Sequence, residues 1–337
     1  MPTERSNLRE PAIGGLAPSQ LRLLTKVARM YHEHGMRQPQ IAEQLHISQP
    51  RVSRLLKQAT ELGIVRTTVV TPSGVHAELE ERIERRFGLR DVVVADPGQP
   101  APGEQSVLQA IGAAGAVYLE TTLTGGDRIG ISSWSSTLLA TVDAMRPRPT
   151  PVAERVVQVI GGVGNSTSQV YATRLADRLA ILTGAEAVFL PAPGLASSPA
   201  AREVLMSDPH ISDVLATYGG LSMLLAGLGS LEPSPLLVES GNAIADGEQE
   251  ALRELGAVGD ICLRFFDEKG QAVRSPLDDR VLGIDVETLR SIPRVVAIAG
   301  GSRKYTAIRA ALRGGWVDVL VTDLGVARRL AAEPDDR

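Results

Sequence analysis

The sequence predicts an α/β protein: an N-terminal winged helix-turn-helix, then a mostly parallel sheet covered by helices. Three observations carry that expectation. From about residue 104 short aliphatic strands alternate with helical stretches, the pattern of a parallel sheet buried on both faces. The stretch from Gln38 to Lys57, QPQIAEQLHISQPRVSRLLK, reads as two short helices around a tight turn. The charge is unevenly placed: residues 1–71 hold 10 Lys+Arg and 5 Asp+Glu, a net +5, while residues 72–337 hold 25 and 34, a net −9. A basic head on an acidic body suits a protein that grips phosphates at one end only.

Composition narrows the classes. A hydrophobic content of 43% supports an ordinary core, and 337 residues leave room for two or three domains. Cys262 is the single cysteine, so no intramolecular disulfide and no CxxC metal site is expected. Met1 is followed by polar residues, and no run of about 18 apolar residues occurs. Neither a signal peptide nor a membrane span is expected, and the cytoplasm is the expected location.

Taken in order, residues 1–17 read as a loose leader rich in Pro, Gly and Ser. From Pro18 to Gly35 the pattern is helical, with Ser19 as candidate cap and Leu21, Leu24, Val27, Ala28 and Tyr31 on one face. In the helix-turn-helix, Ile41, Ala42 and Leu45 face inward, and Ile47 anchors the turn. Ser48 is the candidate N-cap, and Pro50 sits in the first turn, where a missing N–H costs nothing. Val52, Leu55 and Leu56 face inward, leaving Gln49, Arg51, Ser53, Arg54 and Lys57 outward. With Gln38, Ser48 and Pro50 these are the candidate contacts to double-stranded DNA, suited to base edges and phosphates in a major groove. The plain alternative is a helical hairpin with a solvated polar face. After Gly63, IVRTTVV reads as a wing strand, with Arg66 either on a phosphate or in solvent. Residues 75–87 form a charged helix with Val75, Leu79, Ile83 and Phe87 as a narrow stripe, closed by Gly88. It is expected to connect head and body, packing on the body or on a second subunit. The expected division is 18–71 for DNA binding, 72–90 as connector, and 91–332 for effector binding and oligomerisation.

The body then runs DVVVAD strand, Pro/Gly loop, helix 104–122, strand RIGIS, helix 136–146 and strand RVVQVIGG. Helix 169–183, strand AVFLP, two helices around 201–218 and strand LSMLLAGLG follow. After helix 246–255, ICLRFFDEKGQAV reads as a hairpin turning near Glu268-Lys269-Gly270. Strand RVVAIAGG, helix 303–313, strand VDVLVTD and a helix to about Ala332 complete the chain before the tail EPDDR.

In such a sheet ligands bind beyond the carboxyl ends of the strands, where this chain gathers Gly- and Ser-rich turns: GISSWSST, IGGVGNSTS, LPAPG, AGLGS, AVGDICLRF and AGGSRK. Gly300 and Gly301 followed by Ser302, Arg303 and Lys304 would either cradle a phosphate at a helix start or form an ordinary strand-to-helix turn. Asp260 and Arg264 either pair with each other or meet sugar hydroxyls. Trp134 either stacks on a ligand or belongs to the core. Gly161-Gly162 with Asn165 either underlies the ligand or turns the chain. Enzyme signatures are thin. Only His76 and His210 lie outside the head, and HExxH, GxSxG and GxxxxGK[ST] are absent. No catalytic residue, cofactor or metal site is assigned.

These residues together resemble the SorC family of sugar-responsive bacterial transcription regulators, from about residue 20 to 330. The head IAEQLHISQPRVSRLLKQATELGIV is similar to that family's helix-turn-helix. The body resembles it through LPAPG, GAVGDICLRFFDEKG and VLGIDVETLRSIPRVVAIAGGSRKYTAIRAALRGGWVDVLVTD. The resemblance implies a homo-oligomeric repressor or activator, dimer or tetramer, that binds operator DNA. Its body would be similar to the ribose-5-phosphate isomerase and glucosamine-6-phosphate deaminase fold, used as a sensor of a sugar, sugar phosphate or polyol. Carried over by position, the pocket draws on Ser132, Ser133, Thr137, Gly162, Gly227, Gly229, Asp260 and Lys304. This chain departs from the Ser-Trp-Gly turn of many relatives, having Ser132-Ser133-Trp134-Ser135-Ser136 instead, which changes the backbone freedom and hydroxyl count around the ligand. The alternative is an isomerase- or deaminase-like enzyme carrying a DNA-binding head.

Overall fold

The computed structural model describes residues 17–65, 74–98, 102–163, 166–232 and 244–334, with the backbone alone at 166–172 and 246. The chain forms two compact units, Met1–Thr71 and Pro72–Arg337.

The first unit packs α1 (Pro18–His32), α2 (Gln38–Gln44) and α3 (Gln49–Glu61) around one small core. Leu24, Val27, Ile41, Val52 and Ala59 are completely buried there, and Leu45 and Ile47 pack against them. The apolar spacing read from the sequence therefore places the right faces inward. Details differ. Ala17, not Ser19, is the N-cap of α1, and Met30 is buried where Tyr31 is exposed. Ser48 occupies the N-cap position of α3 in extended geometry, but its hydroxyl makes no capping bond. The turn between α2 and α3 passes through His46 at φ 53°, a left-handed conformation uncommon for a residue other than glycine. Ile64 and Val65 form no strand, and the rest of the expected wing, including Arg66, lies outside the described residues.

In the second unit α4 (Ala77–Phe87) precedes a seven-stranded, wholly parallel sheet. Its strands are β1 (Asp91–Ala95), β2 (Asp127–Ile131), β3 (Ala153–Gln158), β4 (Glu186–Val188), β5 (Met223–Ala226), β9 (Val295–Ile298) and β10 (Val319–Asp323). Their order across the sheet is β1-β10-β9-β5-β2-β3-β4. Both faces are covered, as the unbroken aliphatic strands require. Met223, Leu225, Val296 and Ile298 meet α5 (Glu104–Thr122), α6 (Ser136–Ala144) and α7 (Ser166–Thr183) in one core cluster. Leu224, Ala226, Val295 and Ala297 belong to the opposite cluster, with Ile83, Ile308 and Leu330. Those last residues lie on α4, α12 (Tyr305–Arg313) and α13 (Leu324–Ala332).

A separate antiparallel sheet of β6 (Gly229–Ser230), β7 (Ala257–Ile261) and β8 (Arg264–Asp267) joins that second cluster. The remaining helices are α8 (Pro199–Met206), α9 (Pro209–Ala216), α10 (Asp246–Glu254) and α11 (Val286–Ser291). The expected hairpin is corrected here. β7 and β8 are joined by Cys262 and Leu263, at φ 53° and 57°, with Ile261 paired to Arg264. A two-residue turn with both φ positive normally takes Asn-Gly, so the sequence carries no turn signal at this place. The turn expected near Glu268-Lys269-Gly270 exists as a second reversal, in which Gly270 N–H donates to Asp267 O.

α4 packs on β1 and α13, with Gly88 as its left-handed C-cap at φ 68°. It also closes the sheet margin. β1 is an edge strand, and its outward amides at Val92 and Val94 donate to Glu84 Oε1 (3.0 Å) and Glu80 Oε1 (2.9 Å). Ile83, between those two glutamates, is completely buried. Ile83→Ala should therefore cost about 2–5 kcal/mol of unfolding free energy in denaturant titrations. A loss within about 0.5 kcal/mol, as for a surface position, would show that α4 is not part of the body's core.

Candidate functional site

A parallel sheet sends every loop after a strand to the same edge. From β2 the chain continues outward to β3 and β4, whereas β5, its other neighbour, lies beside β9 and β10. The direction of winding thus reverses between β2 and β5, and the loops leaving them part. Such a reversal point is where open α/β sheets form ligand crevices.

A cavity of about 100 Å³ lies there. One water needs roughly 10–15 Å³ by this measure, so the space matches several ligand atoms rather than a single water. Ser132 to Ser136 after β2 and Gly227 to Ser230 after β5 form its walls, with Asp260, Cys262 and Leu263 from the hairpin and Arg303 and Lys304 after β9. Ile160 and Glu232 complete the lining.

The hydroxyl-rich wall is ordered from within. Ser133 Oγ donates to Ile160 O (2.9 Å), and Thr137 Oγ1 donates to Ile298 O (2.6 Å). Ser135 Oγ accepts from Leu138 N–H as the N-cap of α6. Trp134 lines the cavity and is half-buried, and its buried Nε1–H has no acceptor among the described residues.

Asp260 is placed by backbone geometry. It pairs with Gly229 across β6 and β7, and a Cβ at Gly229 would lie 1.9 Å from Asp260 Oδ1, so only glycine allows this approach. Oδ2 accepts from Leu263 N–H at 3.0 Å, and the left-handed turn is what brings that amide round. A non-glycine residue held left-handed costs roughly 1–2 kcal/mol, a strain found at functional sites. Burial pushes the Asp260 carboxyl up to about 6, against the opposing pull of the Leu263 amide and of Lys304. Burial likewise lowers the Lys304 ammonium, with Asp260 acting to raise it. Burial pushes the neighbouring Cys262 thiol up to about 12, which leaves it an inert wall residue.

The structure brings together six of the eight pocket residues expected from the resemblance: Ser132, Ser133, Gly227, Gly229, Asp260 and Lys304. Thr137 lines a neighbouring cavity instead. Gly162 lines neither, and Asn165 lies outside the described residues. Arg264 does not pair with Asp260. It is buried, with Nη1 on Asp278 Oδ1 (3.0 Å) and Nε on Ile284 O (2.8 Å), which removes it from any sugar. Ser302 to Lys304 form a 3-10 turn, so α12 begins only at Tyr305. Gly301, at φ 91°, gives its N–H to Asp323 Oδ2 (2.7 Å), so an internal carboxylate already takes one amide expected for a phosphate. Ile160 and Leu263 lie within the IGGVGNSTS and AVGDICLRF turns without having been singled out there, and Glu232, which follows β6, lies outside every turn named.

Ser48 at the N-cap of α3 and Gln49, Pro50, Arg51, Ser53, Arg54 and Lys57 along it are all exposed, and Gln38, which opens α2, is half-buried. Among the described residues, Lys57 meets Glu61 at 3.8 Å on the surface, and Arg54 Nε donates to Pro50 O at 3.3 Å.

The family described as "Putative sugar-binding domain" matches residues 72–332. The chain is 33% identical over 308 residues to the deoxyribonucleoside regulator of Bacillus subtilis (strain 168), covering 91% of this chain and 96% of that one. The full-length sorbitol operon regulator SorC of Klebsiella pneumoniae superposes with a TM-score of 0.69 at 30% identity, covering 93% and 99% of the two chains. A sugar-binding domain of a transcriptional regulator from Pseudomonas syringae pv. tomato gives 0.60 at 41% identity, covering 77% of this chain and all of that one. With relatives that match more than nine-tenths of it, an exposed basic helix, and a hydroxyl-lined cavity at the sheet's reversal point, the chain belongs to the SorC family of sugar-responsive, DNA-binding transcription regulators.

Proposed function

We propose that residues 18–71 read operator DNA through α3, that 72–90 connect, and that 91–332 hold the effector and oligomerise. The observation that carries the effector half is the cavity at the β2/β5 reversal, where Asp260 and Lys304 share one hydroxyl-lined space. A carboxylate accepts hydrogen bonds from two adjacent sugar hydroxyls; Ser and Trp donors serve ring and hydroxyl oxygens; a lysine point charge suits a phosphate. Effector binding shifts the regulator only by its unequal affinity for two arrangements of the protein. The protein is proposed to work in the cytoplasm as a dimer or tetramer, without turnover of its ligand. Paired heads would meet half-sites spaced by about 34 Å or a multiple of it.

One observation favours the enzyme alternative. A carboxyl that titrates near 6 beside a lysine is also the equipment of a sugar-phosphate isomerase. Incubating the protein with a panel of sugar phosphates separates the two. Turnover lost in Asp260→Asn would replace the non-catalytic assignment; unchanged substrates support it.

Two expectations follow for the DNA face. Arg51→Ala or Arg54→Ala should cost roughly 1–3 kcal/mol in operator affinity if the side chain reads a base, with relaxed preference at one position. Lys57→Ala should weaken all sequences alike and flatten the salt slope by about one contact. Electrophoretic mobility shifts at several salt concentrations measure both, and wild-type behaviour of all three variants would remove α3 from the groove.

The effector site has a pH signature. The folded-state pKa of Asp260 is raised, so between its ordinary value and about 6 the free protein holds a proton there. A sugar that needs the carboxylate as acceptor should then bind about tenfold more weakly for each unit below pH 6 and level off above it. Thermal shift of the full chain against sugars and sugar phosphates finds the ligand, and titration across pH 4.5–8 gives the profile. Asp260→Asn should weaken binding and abolish the dependence; a wild-type profile in that variant would take Asp260 out of the site.

A further inference from the structure

Helix α4 keeps two sets of charges apart. The inward set is committed to the body: Glu80 and Glu84 hold β1 amides, and Arg86 donates to the Glu333 and Pro334 carbonyls. The outward set is Glu78, Glu81, Arg82 and Arg85, all exposed. Among the described residues, none of these four has a hydrogen bond or an ion pair within the chain.

Their order is what matters. Both carboxylates come first and both guanidinium groups follow, on one side of the helix at i, i+3, i+4 and i+7. Glu78 and Arg85 stand roughly 10 Å apart along the axis. Such a face complements its own reverse. Turned end for end about a two-fold axis between residues 81 and 82, a second α4 sets its Arg85 against Glu78 and its Glu78 against Arg85. Glu81 and Arg82 then come within side-chain reach of the second helix's Arg85 and Glu78. An isologous contact of this kind closes as a dimer.

The basic half also borders a hollow. A groove of about 590 Å³ runs along Arg82, Arg85 and Arg86, with Ala331, Glu333 and Pro334 as its other wall. In the reversed fit Val75, 51% exposed just ahead of α4, falls beside the second helix's Gly88, in the half that carries the groove. Exposed ion pairs are worth little singly, so this face selects a partner and its orientation more than it supplies affinity.

We propose that the outer face of α4 docks a second copy of this chain, the two helices antiparallel, acidic half against basic half. Charge sets the occupant: an acidic partner would leave Glu78 and Glu81 opposed, and a basic one Arg82 and Arg85. The assignment rests on the oligomer proposed above and adds to it the face and the orientation.

Sedimentation equilibrium of the full-length protein at low and high salt reads the association. Glu78→Arg and Arg85→Glu each set like charges together. Each should weaken association at least about tenfold at low salt, a difference of about 1.4 kcal/mol, and less at high salt. The double variant, Glu78→Arg with Arg85→Glu, restores opposite charges across the two-fold and should return association to within about threefold. Charges placed only to suit the helix dipole give the reverse, with the double variant worse than either single one. A second measurement needs no charge reversal. Arg82→Cys stands at the two-fold and should be joined to its copy by a short bis-maleimide, whereas Glu250→Cys, exposed on α10, should not. The native Cys262 is buried. An oligomer indifferent to the single reversals, a double variant no better than they are, or no crosslink through Arg82→Cys would overturn the inference while leaving oligomerisation standing. Loss of operator binding in Arg85→Glu with association unchanged would give the groove to a phosphate and overturn it too. A protein monomeric at every concentration would remove both readings.

Discussion

The reversal of winding between β2 and β5 is the constraint from which the site follows. Seven strands run one way, so every loop that leaves a strand's carboxyl end emerges on the same side. Where neighbouring loops turn the same way they pack on one another; where they turn apart, a crevice is left. Ser132 to Ser136 and Gly227 to Ser230 are the two loops that part. Their character is then dictated by geometry: short hydroxyls that bond back to the sheet, and glycines that admit the Asp260 carboxylate. The antiparallel sheet supplies that carboxylate from outside the parallel layer, so the site joins two sheets of opposite design.

Most of the fold was legible because both periodicities are clean. VVAI is apolar at every position and VLVTD is buried at every position, which only a doubly covered sheet can accommodate, and α3 repeats Val52, Leu55, Leu56 and Ala59 on one side. The β7–β8 hairpin was not legible. Its turn is Cys262-Leu263, two residues with no local preference for positive φ, and the buried setting of both side chains overrides that preference. The capping error at Ser48 has a local origin: Pro50 has no amide to offer in the first turn, and the Arg51 and Val52 amides donate to the Ser48 carbonyl (2.9 and 3.1 Å) in place of its hydroxyl.

The site was legible as a set of loops and not as a geometry. Glycine and serine after strands mark where a ligand goes, yet spacing alone does not separate Asp260 from Arg264. Four residues apart, they sit on either side of a reversal that sends one to the cavity and the other to Asp278. The GGSRK turn shows the opposite error. Its residues suggest an anion, while Asp323, distant in sequence, provides a carboxylate from within the chain.

The glutamates of α4 carry a consequence of their own. Glu80 and Glu84 stand in for a missing neighbouring strand, and in doing so they mask a margin that would otherwise invite another chain to add on. Loosening α4 would therefore strip two amides of their acceptors and bare an adhesive strip at once. A helix so committed travels with its sheet as one solid piece.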